Sequence, residues 1–456
     1  MSQQVRRQPY EARDAAPGGE AAARRLRREF GGAVLLPDEA GYDALREAPY
    51  SDIDPRPALI AEATGPEDVR AAIVTAREHD LPFAVQATGH GTQVACDGGL
   101  LLRTGGMASV AVDPATRTAR VAPGAQWGQV LAEAARFGLA PLAGPVPSVG
   151  VTGYTLGGGL GWLARKYGFA ADSVLRAEVV TAEGRIATAS ADRHADLFWA
   201  LRGGGGNFGV VTSLEFQLYP VSRVQAGTVF FAADRAAETL ALYRDWITDY
   251  APAELSTAIL LTRMPDEPGL PVDLRGRQVI GIQAMYAGEA EEARTLLRPL
   301  WEAAGPVLLD GMRSTPFAQA DMGGTAPVHV ELFDTLPDPV IEALVRAAGP
   351  GSPVTTVEIR HWGGAIAAPG PDAGPVGHRS ASLSVILDAY TEEAGQALRP
   401  YATGRSFLNF LRDPARTETA YTPQDHRRLR EVKRVYDPDN FFRLNLNIPP
   451  AGPAGR

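Results

Sequence analysis

The 456-residue chain holds one cysteine, two lysines and no long apolar run. With Cys96 alone, neither an internal disulfide nor a thiolate metal cluster can form, and no metal site is expected. Lys166 and Lys433 leave arginine as 42 of the 44 basic residues. With the abundant Ala, Gly and Pro, that imbalance reads as the bias of a GC-rich genome. No window of about 18 apolar residues occurs, so a membrane-spanning helix is not expected. Net positive charge is lacking too. A formal charge of −9 and a pI near 5.4 argue against nucleic acid or a membrane surface as partner, since both need a basic face. Arg6-Arg7 invites a twin-arginine export reading, but Glu11, Arg13, Asp14, Glu20 and the 24–28 arginine cluster stand where an apolar stretch is required. The expectation is a cytoplasmic protein.

At 45% hydrophobic residues the chain can bury one large core or two medium ones, with two or three domains as the prior. Residues 1–53 read as a polar tail and short helix, with organised structure starting near Asp54. Thr64-Gly-Pro-Glu67 has capping-box spacing ahead of a helix. Phe83–Gln86, Leu100–Leu102 and Ala119–Ala122 read as strands, and Trp127–Ala135 as an amphipathic helix. Val174–Thr181 and Arg185–Ala189 form a hairpin pattern, followed by a helix at Asp196–Leu201 and a strand at Val210–Leu218. From 222 to 404 the texture changes to strand-like runs at Val279–Met285, Val328–Asp334, Thr355–Trp362 and Ala381–Leu387. Helices at Ala236–Tyr250 and Glu289–Ala303 lie between them. The expected fold is α+β: a first domain over 54–221, a sheet covered by helices over 222–404, and a separate closing segment at 405–456.

Three glycine clusters punctuate the first domain: Thr88-Gly89-His90-Gly91, the run from Gly150 to Gly161 with six glycines in twelve residues, and Gly203-Gly-Gly-Gly206-Asn207-Phe208-Gly209. Each lies between ordered elements and carries apolar or aromatic residues, unlike a flexible linker. Glycine lets backbone approach a ligand and aim N–H groups at an anion. Two clusters spell the Rossmann pattern, yet neither has the strand–turn–helix order that its mechanism needs. They point to a different dinucleotide cradle. An isolated histidine is more often structural than functional, but His90 sits between two glycines in a candidate phosphate-binding bend. That setting makes it a ligand or a catalytic base.

The runs Val85–Gly91, Pro147–Gly161 and Leu197–Val211, with the closing Tyr436–Pro449, resemble the vanillyl-alcohol-oxidase-type (PCMH-type) FAD-linked oxidases. Within them the chain looks like the berberine-bridge-enzyme-like branch that includes bacterial 6-hydroxy-D-nicotine oxidase. The resemblance covers 54–221 and 405–450. It implies a two-part FAD-binding domain plus a substrate domain built on an antiparallel sheet. It implies FAD bonded covalently through His90 to the flavin 8α-methyl carbon. Gln86, Ala87, Thr88, Gly89, His90 and Gly91 match the pyrophosphate loop. Gly150, Val151, Gly153, Gly157, Gly158 and Gly161 match a loop near flavin and phosphates. Val210 and Val211 match a segment along the cofactor, and Asn445 and Asn447 a C-terminal stretch returning to the flavin.

Two positions depart from the family pattern. Many relatives carry a second, cysteinyl link in Gly-x-Cys-Pro, whereas Gly144-Pro145-Val146-Pro147 stands here, so His90 is the only anchor implied. Relatives often use the Tyr of Tyr-x-Asn as base, whereas Phe407-Leu408-Asn409 stands here. Any base must come from elsewhere, or the substrate must be one, such as an amine, that needs none. On Thr355–Trp362, Glu358 shares a face with Arg360 and Trp362, with Ile359 and His361 on the other. Glu358 is the first candidate for proton transfer and His361 the second; Tyr154 is a third residue that could reach the flavin. A surface ion pair between Glu358 and Arg360 is the plain alternative. The activity implied is oxidation of a small-molecule CH–OH or CH–NH centre with O2 as acceptor, in secondary metabolism, and a homodimer is allowed. An oxygenase or oxidative cyclase, and a non-catalytic flavin-binding protein, are the competing readings.

Overall fold

A computed structural model describes residues 18–48 and 52–452; residues 1–17 of the expected tail lie outside this range. Three sheets form the framework. The first has four strands in the order Val34–Leu35, Leu59–Glu62, Leu100–Arg103, Phe83–Gln86. Its last three strands are parallel, and Val34–Leu35 adds an antiparallel edge. The second sheet is antiparallel with five strands: Val110–Asp113, Thr118–Val121, Val210–Gln217, Val174–Val180, Ile186–Ser190. The third has eight antiparallel strands drawn from Arg223 to Leu387.

Organised structure begins earlier than the expected Asp54. The helix Gly19–Leu26 buries Ala22, Ala23 and Leu26 in one cluster with Val34, Leu59, Val69 and Phe83. Alanines at i and i+1 with leucine at i+4 make a narrow apolar stripe, which arginine-rich flanks disguise as tail. The helix expected after Thr64 is present as Pro66–Glu78, but its start differs from a capping box. Gly65 is the N-cap, and the Asp68 carboxylate accepts from Thr64 N–H at 2.8 Å, Thr64 Oγ at 2.6 Å and Gly31 N–H at 2.8 Å.

The third sheet is two-sided. One face is covered by the helices Ala236–Asp249, Ala290–Ala304, Asp338–Ala347 and Glu392–Leu398. They bury Ile259, Ile280, Ile282, Val357, Ile359, Val385 and Leu387 against them. The other face meets the first domain. There Trp162, Leu163 and Ala170 pack with Val224, Ala226, Ala258 and Met285, and Phe169 and Ala164 pack with Leu332 and Trp362. Alternation along each strand thus sends apolar side chains under helices and leaves the opposite parity facing the glycine-rich domain.

The C-terminal segment closes on the first domain. The helix Pro423–Tyr436 is capped by Thr422, whose side chain accepts from Asp425 N–H. Phe441 and Phe442 enter the core of the first sheet, while Leu429, Val432 and Ile448 enter that of the second.

Candidate functional site

His90 follows strand Phe83–Gln86 at a bend where Gly89 has φ +81°, a conformation that favours glycine. Its imidazole is half-buried. Nδ1 lies 3.0 Å from Thr88 Oγ, and Nε2 lies 3.5 Å from Ser148 Oγ. Burial holds its pKa below 6.5, so at neutral pH the ring is uncharged and carries a nucleophilic lone pair. Thr88 in turn packs on Gly150, where an added Cβ would meet Thr88 Oγ at 3.1 Å, so the first two glycine clusters touch.

The C-terminal segment pins this bend. Asn445, at φ +87°, accepts from Gln93 N–H at 2.7 Å and donates to the Gly91 carbonyl at 2.9 Å. Asn207 of the third cluster donates to the Leu446 carbonyl and accepts from Ile448 N–H. Beneath both lies Lys433, fully buried. Its ammonium donates to the Asn207 carbonyl at 2.7 Å, the Phe442 carbonyl at 2.9 Å and Asp437 Oδ2 at 2.6 Å. Three acceptors around one point suit an ammonium; a planar guanidinium would not fit them. Burial lowers the lysine pKa while the Asp437 carboxylate opposes that.

The second cluster is a short helix, Val151–Leu156, followed by a loop in which Gly158 and Gly159 have φ of +117° and +77°. At Gly159 a Cβ would sit 2.5 Å from the Tyr154 ring, so glycine is required on space as well as conformation. Asn409 holds the loop by accepting from Gly159 N–H at 2.8 Å and donating to the Tyr154 carbonyl at 3.1 Å. Phe407, where relatives have Tyr, stacks on Phe169 at 5.2 Å and meets the Trp362 ring edgewise at 5.5 Å, 2% exposed.

These surroundings fit a large polar ligand. The buried oxygens of Thr104, Thr152, Thr155 and Asn447 (its Oδ1) have no hydrogen-bond partner among the described residues. Gly91 and Gly153 open onto space, with no atom within 4 Å of an added Cβ. Gln86 instead has a structural bond, donating to the Glu47 carbonyl at 2.7 Å, and the Gln86 carbonyl accepts from Thr104 N–H. Val210 and Val211 send their side chains into the separate cores of the first and second sheets, leaving only backbone for any ligand.

Of the three proton-transfer candidates, the structure brings two together. Glu358 and Arg360 face the first domain and are 1% and 7% exposed. They do form an ion pair, but it is buried rather than at the surface. Arg360 Nη2 lies 2.8 Å from Glu358 Oε1, at an angle that makes the contact electrostatic rather than a hydrogen bond. Thr325 N–H donates to Glu358 Oε2 at 3.3 Å. The Arg360 guanidinium lies 4.7 Å over the Trp162 ring, and its charge reaches the buried Tyr154 hydroxyl, whose pKa burial raises. His361 stands apart on the other face. Arg165 Nη1–H donates to its Nε2 at 2.8 Å, and the same guanidinium ties the Leu255, Ala251 and Pro252 carbonyls. Burial first, then the Arg165 charge, depress the His361 pKa well below 6.5.

Asn207, Asn409, Ser148 and Lys433 are contributors that sequence reasoning did not single out. Asn207 and Asn409 stood inside quoted motifs. Lys433 had a sharper signal: it is one of two lysines in a chain that otherwise uses arginine.

Residues 57–190 match the family described as "FAD binding domain", and 406–449 match "Berberine and berberine like". (R)-6-hydroxynicotine oxidase of Paenarthrobacter nicotinovorans is 30% identical over 459 residues, covering 92% of this chain and 97% of the relative. The crystal structure of 6-hydroxy-D-nicotine oxidase from Arthrobacter nicotinovorans superposes with a TM-score of 0.80 at 28% identity, covering 92% of this chain and 98% of that one. Glucooligosaccharide oxidase of Acremonium strictum, whose FAD is 6-S-cysteinyl and 8α-N1-histidyl, shares the fold with a TM-score of 0.79 at 23% identity, covering 95% and 100%. This chain is an FAD-linked oxidoreductase and belongs to the berberine-bridge-enzyme-like branch of the PCMH-type FAD-linked oxidases.

Proposed function

We propose that this protein is an oxidase that holds FAD by a single covalent bond through His90 and oxidises a small-molecule CH–OH or CH–NH centre. The observation that carries this reading is the His90 bend: an uncharged imidazole steadied by Thr88 and Ser148, in a loop clamped by Asn445. When bound, FAD supplies the hydride acceptor and passes the electrons to O2, yielding H2O2. A second link has no candidate sulfur. Val146 stands in the Gly144–Pro147 stretch, and Cys96 is buried with its pKa pushed up to about 12, so its thiol stays protonated.

The pyrophosphate loop is residues 86–91, and Gly150–Gly161 with Asn447 supplies the open backbone and unpartnered oxygens beside it. On the substrate side, Glu358 is the group to accept a substrate proton. Arg360 stabilises the carboxylate and Trp162 shields the pair from water. Tyr154 is held as a neutral phenol by burial and orients substrate by hydrogen bonding. A substrate supplied aerobically should yield one H2O2 per product, with no O2-derived atom in the product.

Phe407 favours a second reading, an oxygenase or oxidative cyclase of secondary metabolism, because its ring offers no proton acceptor at that position. Incorporation of oxygen-18 from O2 into product would select the oxygenase, and a new ring bond formed with H2O2 and without oxygen-18 would select the cyclase. Flavin colour that no substrate bleaches under anaerobic conditions would reduce the protein to flavin binding.

A further inference from the structure

A pocket whose lining includes none of Glu358, Arg360, Tyr154 and Trp162 lies at the edge of the third sheet. It is a cavity of about 130 Å³ between strand His329–Phe333 and the segment 405–416. Its floor is apolar: Leu332, Phe407 and Phe410. Three arginines line it, Arg405, Arg412 and Arg416, together with one carboxylate residue, Asp413. Among the described residues none of the three has a carboxylate within ion-pair distance, and the Arg416 guanidinium makes a 3.5 Å contact to Ser406 Oγ. His329 adds a buried Nε2 without a hydrogen bond, 3.7 Å from Glu331 Oε1.

Asp413, which accepts from Ala415 N–H at 3.0 Å, offsets one of these charges and leaves arginine in excess; burial raises the Glu331 pKa while the Arg416 and Arg399 charges oppose that. His329 contributes no charge, because burial and the Arg416 and Arg399 charges keep its pKa below 6.5. Three arginines against one aspartate thus line a partly apolar cavity in a chain whose net charge is −9. Guanidinium forks match the planar, two-oxygen geometry of a carboxylate, and the Phe407, Phe410 and Leu332 side chains suit a ring or alkyl body.

We propose that this pocket binds a small organic carboxylate, with its head among Arg405, Arg412 and Arg416 and its apolar body on Phe407 and Phe410. The site is separate from the Glu358 group. It still adjoins the cofactor domain, because the far edge of the Phe407 ring lies 2.9 Å from where a Cβ on Gly158 would be.

The test is calorimetric titration of the flavin-loaded protein with benzoate, and with benzyl alcohol as the uncharged analogue. Flavin absorbance is recorded alongside. Wild type should bind one equivalent of benzoate, more weakly at high salt, with benzyl alcohol at least tenfold weaker and the flavin spectrum unchanged. Arg412→Ala/Arg416→Ala should weaken benzoate by roughly tenfold or more at an unchanged melting temperature. Arg412→Glu, at an exposed position, should do the same with less perturbation. No saturable binding, equal binding of benzyl alcohol, or benzoate binding that survives both variants would overturn the proposal. A flavin spectral change on binding would place benzoate at the glycine clusters and overturn it equally.

Discussion

The frame around His90 and the sheet face across from it differ in how their polar groups are used. Around His90, amides and carbonyls are tied one by one. Asn445 clamps 91–93, Asn207 clamps 446–448, Asn409 clamps the Gly159 loop, and Lys433 with Asp437 fixes all of this from below. On the sheet side, Glu358 Oε1, Arg360 Nε, Tyr154 OH and Trp162 Nε1 are buried with no hydrogen-bond partner among the described residues. Satisfied groups hold a shape, whereas buried unpaired groups cost about 1–3 kcal/mol each and persist where something else is to meet them. The His90 region therefore positions through its clamped backbone, with the Thr104, Thr152, Thr155 and Asn447 oxygens left unpaired beside it, while on the sheet side it is the charged pair and its neighbours that are left to receive.

The largest effect should come from the receiving side. Glu358→Gln keeps one acceptor oxygen, for either Thr325 N–H or Arg360, and removes the proposed base. It should lower kcat/KM by about 10²–10⁴-fold while leaving flavin content near wild type, with a lower melting temperature because Arg360 stays buried without its counter-charge. Loss of flavin instead of turnover would move Glu358 into the positioning frame. Lys433→Ala, on the positioning side, leaves Asp437 buried and unpaired. It should cost about 3–5 kcal/mol, read as a lower denaturant midpoint. Lys433→Arg should not restore stability, since the three acceptors converge on one point. Asn445→Ala removes two hydrogen bonds and should cost about 1–2 kcal/mol while slowing covalent flavin incorporation. If incorporation is unaffected, the clamp serves stability alone.

The smallest effect is on pH. His329, His361, His378 and His426 all have folded pKa values below 6.5, with burial the first cause in each. The unfolded chain therefore takes up more protons than the folded one once pH falls below that value. Stability is full above about pH 7 and should decline from roughly pH 6.5 toward pH 5. A melting temperature that is flat over that range would contradict these assignments.

Much of this frame was legible because motif and mechanism coincide. Glycines beside His90 and in the 150–161 run mark where backbone must bend or be approached, and the two-residue and helical periods marked most central strands and helices. What escaped depended on partners distant in the chain. The short helix expected in the N-terminal segment is Gly19–Leu26, but its docking on the first sheet was not legible, because only one stripe of alanines meets it. Strands Arg223–Ala232 and Leu255–Arg263 pair in register with Gln278–Tyr286, a fact no local pattern carries. The Glu358–Arg360 pairing followed from alternation, but its burial did not, since only the docking of Trp162 covers it. Lys433 was visible and passed over as compositional noise. Its conversion to a structural centre rests on Asn207, 226 residues away.

The central claim is that His90 alone anchors the flavin, and peptide mapping by mass spectrometry after denaturation tests it most directly. The account predicts one flavin adduct, on the peptide carrying His90, absent from His90→Ala. Flavin released intact from the denatured wild type, or an adduct on the peptide carrying Cys96, would contradict it.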